Sequence, residues 1–454
     1  MSASADEQAG SGTRAYGRGA AVLSVGIGVT GLITYAYFAL ASHSLSKDDY
    51  GRISLLWSAV FIVVSVLYRP VEQLLSRTIA DRAARGQTGH EHLRVAATIQ
   101  AGLALLFLVL ALAFRHQIQH ELFDDKAAIY TIFVVAVLAY AASYFARGYL
   151  AGSRMFGLYG GLVFIESVAR CMFALAVAIG IWHGANVTAL GIAAAPLLSL
   201  VVVPWALGGH LRARRDETGK EPHEMGGEPD SSEPEFTLSH GAGFAVAVLL
   251  IMLCEQTIYN AGPLLIKATE SPAAEASALA GFAFNVLLIA RAPLQLFQAV
   301  QTSILPHLTS LRAAGESDPF RRSIQLTVMA IALFSGAVAL AMLVLGPTIM
   351  RIAFGGNFDY GRIGLVLIAL GMGFYLSAAT LNQAALAHAQ AKQAAVAWAI
   401  AAVAFVVWLL IPGFDDRVVQ LEVGYLGAAA LLCTLLYWLY RRSLVGEQPL
   451  GRAD

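Results

Sequence analysis

The chain has 454 residues, of which 57% are hydrophobic and only 13% are charged, and its formal net charge at pH 7 is zero. Soluble domains carry about 25% charged residues, so the deficit argues against a water-soluble protein and indicates lipid as the main solvent. The balanced charge gives no reason to expect a nucleic-acid partner. Each of the three cysteines lies inside an apolar run, which favours neither a disulfide framework nor a metal site.

Twelve apolar runs follow one another along the chain, each near the roughly 20 residues that a helix needs to cross a bilayer. The first run follows a polar segment and is too long for a cleavable signal, so we expect it to remain as the first span. A long polar stretch separates the sixth run from the seventh. The predicted spans are 20–42, 53–75, 95–114, 127–147, 158–180, 187–209, 240–264, 277–304, 325–347, 362–385, 395–413 and 422–441.

These runs predict an all-α membrane protein of about twelve transmembrane helices in two pseudo-symmetric six-helix lobes. With the N-terminus inside, nineteen Lys and Arg residues fall in inner segments and eight in outer loops. This bias predicts a multi-pass protein with both termini in the cytoplasm. The predicted parts are an N-terminal cytoplasmic segment at 1–19, an N-lobe at 20–209, a cytoplasmic linker at 210–239, a C-lobe at 240–441 and a cytoplasmic tail at 442–454.

Short matches between the two halves predict a parallel internal repeat. Arg69 and Gln73 of the second run recur as Arg291 and Gln295 of the eighth, with a proline close by in both. Paired halves are a common transporter plan in which the substrate binds between the repeats. We therefore expect Arg69 and Arg291 to occupy equivalent positions.

Charged side chains inside a membrane are costly and usually functional. Among the charges in the predicted spans, Arg69 and Glu72 are three residues apart, and Glu166 and Arg170 are four apart. Either pair can meet on one helix face and simply hold the bundle together. The predicted coupling or ion-pair residues are Glu72, Glu166 and Arg170.

Arg291 has no carboxylate within reach on its own predicted helix, and Gln295 and Gln298 follow it on the same face. A planar guanidinium bonds phosphate oxygens bidentately, so two arginines related by the repeat would form a site for a phosphate or pyrophosphate group. The alternative is that Arg291 pairs with Glu255 of the seventh run. The predicted substrate-binding residues are Arg69, Gln73, Arg291, Gln295, Gln298, Glu255, Asn260 and Tyr35, with no catalytic and no metal-binding residue.

Two short motifs resemble the polysaccharide (O-antigen type) flippases. The segment 45–51 (Leu-Ser-Lys-Asp-Asp-Tyr-Gly) resembles the turn after their first helix, and 353–358 (Ala-Phe-Gly-Gly-Asn-Phe) resembles the turn before their tenth. That family belongs to the multidrug/oligosaccharidyl-lipid/polysaccharide exporter (MOP) superfamily. The resemblance implies two six-helix lobes around a central cavity lined by helices 1, 2, 7 and 8.

The resemblance further implies a flippase that moves a polyprenyl-pyrophosphate-linked oligosaccharide across the cytoplasmic membrane for cell-envelope polysaccharide synthesis. It implies a non-enzyme without cofactors, whose partners are the polyprenyl-linked glycan and membrane lipid, with a glycan polymerase or glycosyltransferases as candidates. A multidrug or metabolite antiporter of the same superfamily is the alternative, although no aspartate lies in any predicted span. A membrane glycosyltransferase using Asp48 and Asp49 is disfavoured because the first outer loop is short.

Overall fold

The computed structural model describes residues 28–84, 91–204, 238–291, 317–356, 359–388, 390–412, 414 and 416–446. Within these ranges every regular element is a helix, and 11 helices are long and apolar enough to cross a membrane. The prediction of an all-α membrane protein is therefore confirmed. The proposed segment 1–19 and nearly all of the proposed linker lie outside the described residues.

The helices are numbered in chain order, and α1 to α7 precede the polar stretch in the middle of the sequence. Short helical turns at Arg115–Gln117, Ile118–Leu122 and Leu200–Val202 supplement them. The helices are α1 at 28–44, α2 at Lys47–Leu67, α3 at Arg69–Ala84, α4 at Glu91–Ala113, α5 at Ala127–Gly152, α6 at Phe156–Ala178, α7 at Ala185–Ser199, α8 at Leu238–Thr269, α9 at Ala273–Arg291, α10 at Ser317–Phe354, α11 at Arg362–Ala387, α12 at Ala391–Leu410 and α13 at Arg417–Gly446.

The second predicted span, at 53–75, is not one uninterrupted helix. Its helical rod runs over Lys47–Ala83 and is interrupted at Tyr68, which separates α2 from α3. The cause lies in the sequence, because Pro70 lacks an amide hydrogen and restricts the residue before it. At the other end, the Ser46 hydroxyl caps α2 by accepting a hydrogen bond from the Asp49 amide at 3.2 Å.

Helix packing brings the two halves of the chain together along α2. This helix packs against α5 of its own half and against α8 of the other half. In the C-terminal half, α11 packs against α10 and α13, and α8 packs against α12. By contrast, α4 and α10 expose large apolar side chains such as Leu105 and Leu333. Such faces suit contact with lipid. The junction between the halves is formed by α1, α2, α8 and α9.

Candidate substrate cavity

A cavity of about 160 Å³ lies at the junction between the two halves. It is formed by α1, α2, α8 and α9, the first, second, seventh and eighth membrane helices that the family resemblance implied. The wall from the N-terminal half is mainly aromatic, whereas the opposite wall carries charged and amide side chains. The lining residues are Gly31, Thr34, Tyr35, Phe38, Trp57, Phe61, Glu255, Gln256, Tyr259, Asn260, Leu288 and Arg291.

The polar wall is built by helical spacing along α8. Glu255 and Tyr259 are four residues apart, as are Gln256 and Asn260, so all four point to one side of the helix. The Asn260 amide nitrogen donates to the Gln256 side-chain oxygen at 3.1 Å and to its backbone oxygen at 3.1 Å. These bonds fix the amide of Asn260 so that its oxygen is free to accept from α9.

The side-chain oxygen of Asn260 accepts a hydrogen bond from Arg291, the last described residue of α9. The Arg291 guanidinium donates to the Asn260 side-chain oxygen at 2.9 Å and to the Tyr259 carbonyl. Its central carbon lies 4.8 Å from the centre of the Phe284 ring, a cation–π distance. In the described part of the chain, no carboxylate forms an ion pair with Arg291, so the pairing with Glu255 considered above is not observed. The Arg291 Nε is buried without a hydrogen-bond partner.

Within the described residues, Arg291 has only neutral partners, so no negative charge compensates its guanidinium. A buried cation is stable only when a counter-charge or several hydrogen bonds satisfy it. The guanidinium has five N–H donors in a planar fork, and an anionic oxygen ligand would satisfy those that remain. The arrangement is thus chemically suited to bind an anion in the cavity.

Tyr35 closes the cavity between α1 and α9. Its hydroxyl donates to the backbone carbonyl of Leu288, one helical turn before Arg291. The predicted residues Tyr35, Glu255, Asn260 and Arg291 therefore come together around one space. Gln295 and Gln298 lie outside the described residues.

The other predicted arginine, Arg69, is not among the residues that line this cavity. It starts α3 and interacts electrostatically with the carboxylates of Glu255 and Glu72. Glu72 accepts a hydrogen bond from the Tyr159 hydroxyl at 3.1 Å, and Gln73 is exposed. Arg69 and Arg291 thus differ in surroundings, because one faces carboxylates and the other neutral groups.

A buried ion cluster centred on Glu166 lies behind the aromatic wall. The Glu166 carboxylate bonds Arg170 at 3.0 Å, the Tyr140 hydroxyl at 2.9 Å and the Ser143 hydroxyl at 3.3 Å, and it also pairs with Arg147. The predicted ion pair of Glu166 and Arg170 is therefore present.

Arg147 was missed by sequence reasoning, which assigned it to an inner segment at the end of a span. The sequence does contain a pattern that indicates its position. Arg147 follows Tyr140, Ser143 and Tyr144 at helical spacing, which places these polar side chains on one face of α5.

The cluster reaches the cavity through one side chain. The Arg170 guanidinium lies 4.6 Å from the centre of the Trp57 ring, and Trp57 lines the cavity. Phe61 packs on the same indole, with ring centres 4.1 Å apart. The charges of the Glu166 cluster are thus separated from the cavity by one side chain, and they are paired with each other and do not line it.

No protein-family model matches the chain, and no curated protein does either. Several solved structures share its fold. An inward-facing multidrug-resistance MATE family transporter of the MOP superfamily is 13% identical, with a TM-score of 0.61 over 94% of this chain and 99% of that one. A point mutant of the Vibrio cholerae MATE transporter VcmN is 14% identical, with a TM-score of 0.61 over 95% and 98%. The lipid II flippase MurJ, in an inward closed conformation, is 12% identical with a TM-score of 0.65 over 92% and 87%. The chain therefore has the fold that MATE transporters and MurJ share.

Proposed function

We propose that this protein is a flippase that moves a polyprenyl-pyrophosphate-linked oligosaccharide across the cytoplasmic membrane. The observation that carries the proposal is Arg291, a guanidinium at a cavity between two halves, held by neutral groups in the described part of the chain. An anionic group of the substrate would supply the missing counter-charge. The fold shared with the lipid II flippase MurJ supports a lipid-linked substrate.

The cavity offers polar groups of two kinds. The charged Arg291 is suited to pyrophosphate oxygens, whereas the neutral side chains of Gln256 and Thr34 are suited to sugar hydroxyls. Pockets that bind drug-sized ligands measure about 300–1,000 Å³, so the present cavity of about 160 Å³ is too small for a whole oligosaccharide. A longer glycan requires a state in which the halves lie further apart, as expected for transport by rocking of two repeats.

The remaining predicted roles follow from this proposal. Arg69 and Gln73 would meet the substrate on its way to the cavity, since neither lines the cavity itself. Glu72 or Glu255 would take up a proton when a neighbouring arginine turns to the substrate. Glu166 and Arg170 would hold the N-terminal half rigid.

Loss of transport on replacing Glu72 or Glu255 by glutamine supports the coupling role, and full transport by both variants contradicts it.

A multidrug or metabolite antiporter is the second candidate, and Glu255 is the observation in its favour. This carboxylate lines the cavity and is suited to attract a cationic drug. The fold shared with the MATE transporters is compatible with that activity. The two candidates therefore differ in whether Arg291 or Glu255 binds the transported molecule.

The test is mass spectrometry of polyprenyl-linked lipids from a depletion strain that carries either the wild-type chain or Arg291→Ala. We expect a lipid-linked glycan to accumulate at least tenfold in the depleted strain and to be cleared by the wild type but not by the variant. Arg351→Ala is the matched control, since Arg351 is an exposed arginine at the end of α10. An unchanged lipid profile would remove the flippase proposal, and Glu255-dependent resistance to cationic dyes would then favour the antiporter.

A further inference from the structure

An ion cluster away from the cavity joins the two halves at one end of the bundle. Asp124, in the connection between α4 and α5, has a side chain only 10% exposed. One of its oxygens accepts hydrogen bonds from Arg52 Nε at 2.9 Å and from the Ser277 hydroxyl at 2.8 Å, and the other pairs with the Lys267 ammonium. Arg52 belongs to α2, whereas Lys267 and Ser277 belong to α8 and α9. A single carboxylate thus bonds both halves.

The helix backbones touch at the same level. A Cβ atom added to Gly51 of α2 would overlap the backbone carbonyl oxygen of Ser277, and one added to Gly281 of α9 would lie 2.9 Å from the Gly51 Cα. Only glycine at both positions permits this approach. The halves are therefore in full contact here, with no room for a side chain or a water layer between α2 and α9.

Further bonds between the halves surround this contact. The Tyr50 hydroxyl donates to the Asn285 side chain, whose nitrogen donates to the Tyr360 hydroxyl at 3.1 Å. The Ser42 hydroxyl donates to the Phe354 carbonyl. All of these groups are buried, so separation of the halves at this end would break the bonds of Tyr50 to Asn285 and of Ser42 to Phe354.

The closed end lies directly over the cavity. Phe38 of α1 and Phe284 of α9 meet with ring centres 4.6 Å apart, and Phe38 also lines the cavity. By the distribution of Lys and Arg, this end is the one predicted to face the outside of the cell. A substrate that leaves the cavity on that side must pass between the groups described above.

We propose that Asp124 is the hub of a latch, formed with Arg52, Lys267 and Ser277, that holds the outer end of the two halves closed and parts whenever the cavity opens outward. Arg52 lies in the same half as Asp124 and also pairs with Asp49 at 2.7 Å, so its bonds do not cross between the halves and its charge stays paired after separation. The bonds of Asp124 to Lys267 and Ser277 are therefore those that set the balance between the closed and open states. The latch does not depend on which molecule is transported, so it goes beyond the proposed flippase activity.

The chemistry of Asp124 agrees with a latch that is charged under ordinary conditions. Burial alone would raise the pKa of this carboxyl group, but the hydrogen bonds from Lys267, Ser277 and Arg52 bring its pKa below the usual range. The carboxylate is consequently ionised near neutral pH. Opening then requires movement of the halves and hydration of the separated charges rather than protonation of Asp124.

The experiment measures the distance between the halves by electron paramagnetic resonance of spin labels in lipid nanodiscs. Labels are attached at Ala128→Cys of α5 and Ala274→Cys of α9, both exposed positions near the latch, after the three native cysteines are replaced. We expect one short distance in the otherwise unaltered chain. Asp124→Asn, which keeps the side-chain size, should raise the ratio of long to short distances at least tenfold.

The neighbouring Asp125→Asn is the matched control. It removes the same charge from a residue that is exposed and pairs only with His120 among the described residues, so its distance distribution should stay that of the unaltered chain. Ser277→Ala removes a single bond and leaves all charges in place, and it should raise the ratio severalfold even if the Asp124 variant fails to fold. Unchanged distances in both Asp124→Asn and Ser277→Ala, or an equal shift with Asp125→Asn, would overturn the proposal.

Discussion

At the scale of single residues, the arginines around Glu166 differ from Arg291 in how their charge is compensated. Glu166 accepts bonds from Arg147 and Arg170 and from two hydroxyl groups, so both arginine charges have a counter-charge. Arg291 has only neutral partners within the described residues. A charge-compensated cluster holds a structure together, whereas an uncompensated cation can exchange partners. This contrast is the reason to assign stability to Glu166 and binding to Arg291.

Glu166→Gln should destabilise the protein strongly. The change leaves Arg147 and Arg170 buried without their shared carboxylate, and breaking a buried ion pair from one side costs about 3–5 kcal/mol. The measurement is the fraction of protein that stays monodisperse in size-exclusion chromatography after heating, with Glu121→Gln, at an exposed residue of the short helical turn Ile118–Leu122, as the control. Equal thermal stability of the two variants would show that the cluster is not a structural anchor.

The residues that line the cavity were predicted only in part, because many of their neighbours come from distant parts of the chain. The polar face of α8 could be read from spacing alone, which is why Glu255 and Asn260 were found. Asp124 was not among the predicted residues, because nothing in the neighbouring sequence shows that α8 and α9 bring Lys267 and Ser277 to it. Arg69 and Arg291 matched in sequence, yet only one lines the cavity, since a repeat does not dictate the side chains that the opposite half presents.

At the scale of helices, hydropathy predicted positions well and ends less well. The tenth span was predicted at 362–385 and α11 occupies Arg362–Ala387. The ninth was predicted at 325–347, but α10 extends over Ser317–Phe354 because its ends carry polar residues that a hydropathy criterion trims. The break at Tyr68 was not predicted, although Pro70 was visible. A proline is tolerated in the first turn of a helix but disrupts a helix when it lies near the middle. The sequence alone did not show whether Pro70 begins a new helix or interrupts a longer one.

The contact of α2 with α9 gives a prediction at this scale. Gly51→Ala places a Cβ atom against the backbone of Ser277, which cannot rotate away as a side chain could. The two helices must separate, so we expect the spin-label distance across the outer end to lengthen. Gly102→Ala in α4 is the control, because a Cβ atom there meets nothing within 4 Å. A short distance retained by Gly51→Ala would mean that the helices adjust by sliding along each other.

At the scale of the whole molecule, the two halves meet at a cavity and at a closed end above it. The cavity is lined by the helices that the family resemblance implied, and the chain shares its fold with MATE transporters and MurJ. The closed end had no counterpart in the sequence reasoning. It arises from buried contacts between residues more than 140 positions apart, such as Asp124 and Lys267.

The pH dependence of the closed end follows from the lowered pKa of Asp124. The pKa of Asp124 is lower in the closed form than in a hydrated open form. Ionised Asp124 therefore favours closure at any pH above its pKa in the open form. This contribution to closure is lost as the pH falls through its pKa in the closed form. The charged groups around it are Arg52 and Lys267, with Asp49 beyond Arg52 and the titratable His120, which pairs with Asp125, nearby. We expect constant label distances from about pH 8 to 5 and longer ones below about pH 4, near the ordinary pKa of aspartate. Asp124→Asn should abolish this dependence, and a transition near neutral pH would contradict it.

The stacking of Arg170 on Trp57 has a consequence for observing the protein at work. The indole lines the cavity on one side and touches a guanidinium and Phe61 on others. Its emission therefore responds both to the electric field of the Glu166 cluster and to whatever fills the cavity. A chain that keeps Trp57 as its single tryptophan would act as an optical reporter of occupancy, readable in a native bilayer without any added dye.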